Sequence, residues 1–315
     1  MDFAGKRLWF FLASLAVILP GIVFLIIAPG LKPGIDFTGG STIILEFSNT
    51  VDQEDVRTAL ADLDRSEATV QNLGDDTFFI RTKEMDEAQK TSLVESLESA
   101  LSPDGVDVLA FDRVSAVVAQ ETVLNAFWAV LAAAVGIFFY VWWAFRNLPS
   151  PLRYGAAAII ALLHDTIIVI GIFAILGYTI DMEVNTMFLI ALLTVIGYSV
   201  NDTIVVFDRL RENISFYPTR RFTDNVNVSI SETLSRSFNT SFTLLFTLMA
   251  LMLFGGETIR SFLLVLIIGV VVGTYSSIGI ASQLLVVWDQ GDIGRLYRRV
   301  LRKPEPAAAT PARAR

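Results

Sequence analysis

The sequence contains no cysteine and only one histidine, and only 18% of its 315 residues are charged. Without cysteine the chain can form no disulfide, no thiolate metal site and no cysteine nucleophile. With His164 alone, a metal site built from several histidines is also excluded, and we expect neither a metal nor a cofactor. Soluble domains carry roughly 25% charged residues, so an ordinary soluble enzyme is a poor match to this composition.

Long apolar runs take the place of the missing charge. Hydrophobic residues make up 53% of the chain, and the mean hydropathy is +0.58. A helix needs about 20 apolar residues to cross the hydrocarbon core of a bilayer. The sequence therefore predicts a polytopic α-helical membrane protein with six transmembrane helices. They lie at 8–28, 124–145, 154–176, 187–207, 242–254 (extended back to Thr240) and 262–288.

Acidic and basic residues are distributed unevenly along the chain. Residues 29–120 hold 18 acidic and seven basic residues. Lysine and arginine are instead concentrated before the first apolar run, between the second and third, between the fourth and fifth, and after the sixth. The positive-inside rule then predicts that both termini are cytoplasmic and that residues 29–120 lie outside. An acidic domain also argues against a nucleic-acid partner, because phosphate binding needs a basic surface.

These segments predict the division of the chain. We expect a cytoplasmic N-terminus and first span over 1–28, an extracytoplasmic domain over 29–120, a five-helix membrane domain over 121–290 and a cytoplasmic tail over 291–315. The first apolar run is longer than the roughly 7–15 residues of a signal-peptide core. We therefore expect it to remain in the protein as a membrane anchor.

Strand and helix patterns alternate within residues 29–120. The order β-α-β-β-α-β predicts one small α+β domain of the ferredoxin-like type between the first two spans. This fold hosts many functions and identifies none of them. Strands are predicted at 41–48, 69–73, 77–82 and 106–114, with helices from a capping box at Thr50–Gln53 to Asp64 and from Asp86 to Leu101.

A glycine-rich stretch, Gly34-Ile-Asp-Phe-Thr-Gly-Gly40, joins the first span to this domain. It lacks the spacing and the lysine of a phosphate-binding loop. We predict a tight turn that serves as a hinge near the membrane, with Gly34, Asp36, Gly39 and Gly40 as its residues.

Ionisable residues inside predicted spans are functional candidates, because their insertion costs at least ~2.5–3.5 kcal/mol each. His164 and Asp165 lie near the middle of the third span, although adjacent helix residues point about 100° apart. The pair is either a proton relay or a set of static contacts, in which His164 bonds to a neighbouring helix.

The fourth span places Asp202 on one helix face with Tyr198 and Thr194, while Gly197 and Asn201 form the adjacent face. A carboxylate on such a stripe can carry a proton, because burial and a nearby cation act on its protonation in opposite directions. The alternative is a static hydrogen bond between helices.

Arg236 begins a polar face of the fifth span and is the predicted ion-pair partner of Asp202, since a buried charge must be paired. The alternative is a basic anchor at the cytoplasmic boundary. In the sixth span, Gly269 and Gly273 form a GxxxG helix-packing pattern. The polar face that follows Arg236 consists of Asn239, Thr240, Thr243 and Thr247.

Three stretches resemble the SecF family of protein-export membrane proteins. They are Gly34–Gly40, Gly197–Asn213 in the fourth span and Ser231–Ser241 at the start of the fifth. SecF-like proteins belong to the resistance-nodulation-division superfamily of proton-driven machines. The resemblance implies a subunit of the cytoplasmic membrane that acts with SecD and the SecYEG channel. It would use the proton motive force to complete preprotein translocation, without enzymatic chemistry.

The resemblance also implies that Asp202 and Arg236 are tied to proton flow. This sequence departs from the family at Ser237, where threonine is common, and at Leu244, which replaces one threonine of a pair. We expect a supporting polar network around the two charges. Its members are Asn201, Tyr198, Thr194, Thr240, Thr243, Asp165 and His164, with Gly197, Gly269 and Gly273 as packing positions.

Three other functions are compatible with parts of the sequence. The chain could be half of a proton-driven exporter of small molecules, although an outer domain of this size leaves little room for a drug pocket. It could be an intramembrane protease that uses Asp165 with Asp202, or Ser199 with His164, although neither pair stands in a recognised protease motif. It could also be a structural linker with no role in proton transfer.

Overall fold

The computed structural model describes residues 1–27, 30–256 and 259–291, so most of the predicted tail over 291–315 lies outside it. Helices and strands follow the chain in this order: α1 (Arg7–Ile26), α2 (Ile35–Thr38), β1 (Gly40–Phe47), α3 (Gln53–Asp62), β2 (Thr69–Gly74), β3 (Thr77–Thr82), α4 (Glu87–Leu101), β4 (Val106–Val114), α5 (Ala116–Ala144), α6 (Pro151–Ile180), α7 (Thr186–Phe216), α8 (Phe222–Phe254), α9 (Arg260–Ser276), a π-helical turn (Ser277–Ala281) and α10 (Ser282–Gln290).

Six of these helical segments are long and apolar enough to cross a membrane, which confirms the predicted polytopic architecture. They are α1, α5, α6, α7, α8 and the continuous sixth span formed by α9, the π-helical turn and α10. Several helices extend beyond their apolar runs, and α8 reaches 33 residues. Hydropathy detects only the part of a helix that the hydrocarbon surrounds, so the apolar runs are shorter than the helices that contain them.

The small α+β domain comprises the elements from β1 to β4. Its strands form one antiparallel sheet in the order β2-β3-β1-β4, as the predicted ferredoxin-like fold requires. Ile43, Leu45, Phe78 and Ile80 alternate along the two central strands and meet Leu97 of α4 in a buried core. The core is filled by the domain's own side chains.

The starts of the two helices in this domain differ from each other. Asp86 caps α4 as predicted, because its carboxylate accepts from the Gln89 amide at 2.8 Å. The capping box predicted at Thr50 is wrong: α3 begins at Gln53, and the residue at its N-cap is Asp52, which makes no side-chain capping bond. This segment instead contacts a residue distant in the chain, because the Val51 amide, directly after Thr50, donates to the Asp76 carboxylate at 3.2 Å.

The membrane helices pack around α6, α7 and α9. Small residues allow close approach: a Cβ on Gly21 of α1 would lie 2.8 Å from the Cα atom of Gly171 in α6. Gly273 of α9 approaches Ser199 of α7 in a similar way. By contrast, α5 lies at the edge of the bundle and buries only Ala119 and Val141. Of these central helices, α6 carries the buried residues His164 and Asp165, and α7 carries the buried residue Asp202.

Candidate functional site

Asp202 lies in the interior of the helix bundle, on the part of α7 that faces α8 and the sixth span. Its side chain is buried, and its Oδ1 atom accepts a hydrogen bond from Ser237 of α8 at 2.6 Å. Its Oδ2 atom is also buried and has no hydrogen-bond partner among the described residues. Burial of an unsatisfied carboxylate oxygen is costly, so this atom marks a position that can take up a proton.

Hydroxyl groups from three helices surround this carboxylate. Thr203 of α7 contacts Ser277 of the π-helical turn at 2.9 Å, and Ser277 lies close to Asp202. One turn further along, Tyr198 contacts Ser241 of α8 at 2.9 Å. Of the predicted supporting network, Tyr198 is therefore in this layer. The hydroxyl contacts join α7, α8 and the sixth span around Asp202.

Arg236 does not form the predicted ion pair with Asp202. The inward position on α8 belongs to the next residue, Ser237, and successive helix residues point about 100° apart. The Arg236 side chain is exposed on the surface of the chain, although it is near enough to Asp202 to act on it electrostatically. Arg236 therefore lies on the outward side of α8, one residue before the position that bonds to Asp202.

The other polar residues predicted on this face also lie on the surface. Thr194, Asn201, Thr240 and Thr243 are exposed, and each of the three threonines bonds to a carbonyl of its own helix. Gly197 is not a packing position within this chain, because a Cβ there would meet nothing within 4 Å. Each of these residues lies about one residue's rotation, roughly 100°, from an inward-facing position. The sequence pattern alone did not distinguish the inward from the outward side of each helix.

Asp165 forms a second buried polar cluster. Its Oδ1 atom contacts His164 Nδ1 at 2.8 Å, and its Oδ2 atom accepts from Ser199 at 2.5 Å and from Ser276 at 2.7 Å. His164 Nε2 contacts Ser14 of α1 at 2.9 Å. The two neighbours thus meet directly despite their divergent Cβ directions, because both side chains bend towards each other between the helices.

The two buried aspartates belong to separate hydrogen-bonded clusters. Asp165 has hydrogen-bond partners at both carboxylate oxygens, whereas Asp202 has a partner at Oδ1. Ser199 donates to Asp165 rather than to His164, so the alternative serine–histidine dyad is not formed. Across the described ranges, no group of three or more His, Asp or Glu side chains is arranged to hold a metal ion.

The glycine-rich stretch, predicted as a tight turn and hinge, is a turn braced by contacts to distant residues. Gly34 N donates to the Val184 carbonyl at 2.7 Å, and Asp36 Oδ2 accepts from the Thr186 amide, the first residue of α7, at 2.7 Å. Gly39 and Gly40 have φ values of +75° and +127°, a conformation that side chains disfavour. These contacts cross between distant parts of the chain and therefore left no local signal.

The α+β domain reinforces the same junction. Arg81 of β3 donates to Glu183 at 2.9 Å and to the Pro33 carbonyl at 2.9 Å, and Gln71 donates to the Asp181 carbonyl at 2.9 Å. The domain is thus attached to the loop between α6 and α7, directly before the helix that carries Asp202.

Sequence reasoning missed the serines that serve the two carboxylates. A serine within an apolar run was available as a signal, because small polar residues in membrane helices concentrate at helix contacts. What was lacking was the rotation of each helix, which decides whether a serine faces a carboxylate or lipid. Ser14, Ser276 and Ser277 were missed altogether, and Ser199 and Ser237 were named in the sequence but not as partners of the carboxylates.

In the described ranges, six apolar helices, one small α+β domain and two buried carboxylate clusters define a multi-pass membrane protein with ionisable groups in its core. Residues 94–291 match the family model described as protein export membrane protein SecD/SecF, C-terminal, and residues 24–51 match the SecD/SecF GG motif. The chain belongs to the SecD/SecF family of protein export membrane proteins.

Relatives and solved structures agree with this assignment. Protein translocase subunit SecF of Thermobaculum terrenum is 44% identical over 98% of this chain and 99% of that protein, and the subunit of Anaerolinea thermophila is 40% identical over 95% and 97%. The SecDF crystal structure from Thermus thermophilus has a TM-score of 0.81 and 34% identity over 92% of this chain. A SecDF structure in the Super-membrane-facing form has a TM-score of 0.67, 32% identity and 95% coverage of this chain. The chain spans 39% and 40% of those two SecDF chains, respectively.

Proposed function

We propose that this chain acts with SecD beside the SecYEG channel and uses the proton motive force to complete preprotein translocation. Its role is mechanical rather than enzymatic. Both termini lie in the cytoplasm, and the α+β domain lies outside the cytoplasmic membrane. Family membership supports the general role, and the site around Asp202 supports the coupling to protons.

The observation that carries this proposal is the free, buried Oδ2 atom of Asp202 in the interior of a membrane helix. A proton moving through 100 mV releases about 2.3 kcal/mol. That free energy can bias a two-state element by roughly 50-fold. Protonation neutralises the Asp202 carboxylate, which weakens its hydrogen bond from Ser237 and its attraction to Arg236. The preferred packing of α7 against α8 therefore changes.

The exposed polar stripes of α7 and α8 support a partner within the membrane. Asp202 meets Ser237 and Tyr198 meets Ser241, so the two helices run antiparallel side by side. When two antiparallel helices pack side by side, the residue just before the contact residue of one helix and the residue just before that of the other point to the same side of the helix pair. Thr194 and Asn201 therefore share one surface with Arg236.

That surface is unsuited to lipid, because an arginine in hydrocarbon costs ~2.5–3.5 kcal/mol or more. A partner helix that supplies a carboxylate to Arg236 removes this cost. We propose that SecD covers this surface and that protons reach Asp202 along it from outside.

The braced turn supports transmission to the outer domain. Asp36 and Arg81 tie the α+β domain to the start of α7, so a shift of α7 moves the domain with it. We propose that this movement prevents a preprotein segment from sliding back. The small-molecule exporter is less well supported, because the α+β domain is filled by its own apolar core.

The test compares Asp202→Asn with Asp208→Asn, a control on the same helix whose carboxylate is exposed and paired with Arg211. Each variant is reconstituted with SecD and SecYEG, and preprotein export is measured with and without an imposed proton gradient. We expect Asp202→Asn to reduce export to the level without a gradient, while Asp208→Asn retains stimulation. Co-purification with SecD checks assembly. Full stimulation in an assembled Asp202→Asn complex would show that the chain is a structural linker.

A further inference from the structure

A chain of hydrogen bonds between α1, the sixth span and α6 determines which ring nitrogen of His164 carries a proton. Tyr275 donates its only hydroxyl hydrogen to the carbonyl of Phe10 at 2.6 Å. Ser14 Oγ lies 3.1 Å from the Tyr275 oxygen, so Ser14 must be the donor in that contact. Ser14 then has no hydrogen left for His164 Nε2, which lies 2.9 Å away. Nε2 is therefore protonated and donates to Ser14.

This assignment places one further proton between His164 and Asp165. The Nδ1 and Oδ1 atoms are 2.8 Å apart, and a hydrogen bond between them needs a hydrogen on one of the two. Either Nδ1 carries it, which gives an imidazolium–carboxylate pair, or Asp165 carries it and donates to a neutral ring. In both forms the pair has no net charge, which suits a site buried in a membrane protein.

We infer that the His164–Asp165 pair is a second proton-binding site of this chain, distinct from Asp202. The inference rests on the proposed function for its physiological role, but its structural content is independent of export. Asp165 is 2% exposed and accepts from donors on two other helices. The site therefore binds its proton at a junction of four helices, where a change in charge alters several helix contacts together.

The groups that face this site are few. Ser14 approaches from α1, His164 belongs to the same helix as Asp165, and Ser199 approaches from α7. Ser276 and Tyr275 approach from α9, and the Tyr275 ring stacks at 6.2 Å from the His164 ring. In the described part of the chain, His164 is the ionisable side chain that bonds to Asp165, and no arginine or lysine pairs with it.

The π-helical turn connects the two proton-binding sites. Ser276, the last residue of α9, donates to Asp165, and the next residue, Ser277, lies beside Asp202 and contacts Thr203. Single π-helical turns are often found at functional sites. Loss of a proton from the His164–Asp165 pair strengthens the hydrogen bond that Ser276 donates to Asp165. The resulting movement of the π-helical turn shifts the Ser277 hydroxyl beside Asp202.

The chain has one histidine, so its imidazole can be observed without interference. The full chain, labelled with ¹⁵N-histidine and carrying no histidine tag, is placed in lipid nanodiscs with unlabelled SecD. Solid-state NMR then reads the protonation of both ring nitrogens as a function of pH. We expect Nε2 to be protonated throughout and the Nδ1 signal to change with pH. A neutral ring protonated at Nδ1 instead of Nε2 would overturn the inference.

Two variants test the role of Asp165. In Asp165→Asn the shared proton is lost, so we expect a neutral ring protonated at Nε2 whose Nδ1 signal no longer changes with pH. Ser276→Ala removes one donor to the carboxylate, which moves the proton towards Asp165 and makes Nδ1 less protonated. The matched control is Ser282→Ala, because Ser282 is a buried serine of the same span whose hydroxyl, among the described residues, bonds to the Ser277 carbonyl and not to Asp165. A wild-type Nδ1 response in both Asp165→Asn and Ser276→Ala contradicts the inference.

The physiological role is measured by gradient-stimulated export in the reconstituted complex. We expect Asp165→Asn to lose stimulation while the complex with SecD assembles normally. Retained stimulation in Asp165→Asn together with its loss in Asp202→Asn would exclude the second site from coupling but leave the proposed function intact. Retained stimulation in Asp202→Asn would instead reject the proposed function, and the NMR result would stand alone.

Discussion

Single side chains accept hydrogen bonds from the free amides at the start of α7. Asp36 accepts from the first amide of α7, and Asn185 at the N-cap accepts from the Phe188 amide at 3.0 Å. Two of the free N–H groups of α7 are thus satisfied, one by a residue 150 positions earlier in the chain. The Asp36 carboxylate also carries a negative charge, which is favourable at a helix N-terminus. A single side chain therefore links the glycine-rich turn to the helix of Asp202.

We predict that Asp36→Ala loosens this junction by about 1 kcal/mol, within the usual range for loss of a capping side chain. Hydrogen exchange of the Thr186 amide should accelerate, while amides in the core of β1 and β3 stay protected. Asp52→Ala is the matched control, because Asp52 stands at the N-cap of α3 without a side-chain capping bond. An unchanged Thr186 exchange rate in Asp36→Ala would show that the backbone contacts of Gly34 suffice.

Among the helices, the contact between α7 and α9 decides the geometry of both carboxylate clusters. Gly269 packs against Val195, and a Cβ on Gly273 would lie 2.9 Å from the Cβ atom of Ser199. The two glycines lie one turn apart on the same face of α9. This close approach brings Ser276, the last residue of α9, and Ser277, the first residue of the π-helical turn, within reach of the aspartates on α6 and α7.

Gly269→Ala tests this close contact, because its new Cβ collides with the Val195 side chain. Overpacking of this kind typically costs about 1–3 kcal/mol. Gly136→Ala on α5 is the control, since a Cβ there meets nothing within 4 Å. Alanine favours helix over glycine by up to about 1 kcal/mol at both positions, so the comparison isolates the clash. Thermal unfolding in detergent should show a lower midpoint for Gly269→Ala and an equal or higher one for Gly136→Ala.

The whole molecule has two chemically different ends. The acidic α+β domain and the α6–α7 loop meet at one end, held together by Arg81 and Glu183. The opposite end carries the C-terminal part of α7 and the start of α8, where Arg209 bonds to Glu232 at 2.7 Å. An excess of basic residues at one end is the feature that orients membrane proteins.

Because the chain has no cysteine, its orientation can be tested with single cysteines on an unmodified background. Ser99→Cys places a thiol on the exposed surface of α4, and Thr219→Cys places one in the exposed loop between α7 and α8. In intact cells or spheroplasts, a membrane-impermeant maleimide should label Ser99→Cys alone. Both variants should react after the membrane is opened. Labelling of Thr219→Cys in sealed cells would reverse the proposed orientation.

The sequence by itself determined the architecture: six spans, the β-α-β-β-α-β order and the cap at Asp86. These features depend on residues close together in the chain, through apolar run length, two-residue alternation and the preference of aspartate for a helix N-cap. The sequence also placed Asp202 on a polar part of a central span. It could not show which of two adjacent positions, 236 or 237, faces that aspartate.

Only the tertiary structure decided the contacts of the site. The rotation of α8 about its axis turned Ser237 inward and Arg236 outward, a difference of one residue. The contact between Asp36 and Thr186 and the one between Ser14 and His164 join positions about 150 residues apart. Local periodicity carries no information about such pairs, because they depend on how whole helices pack, and packing depends on the glycines and small residues of every neighbouring helix.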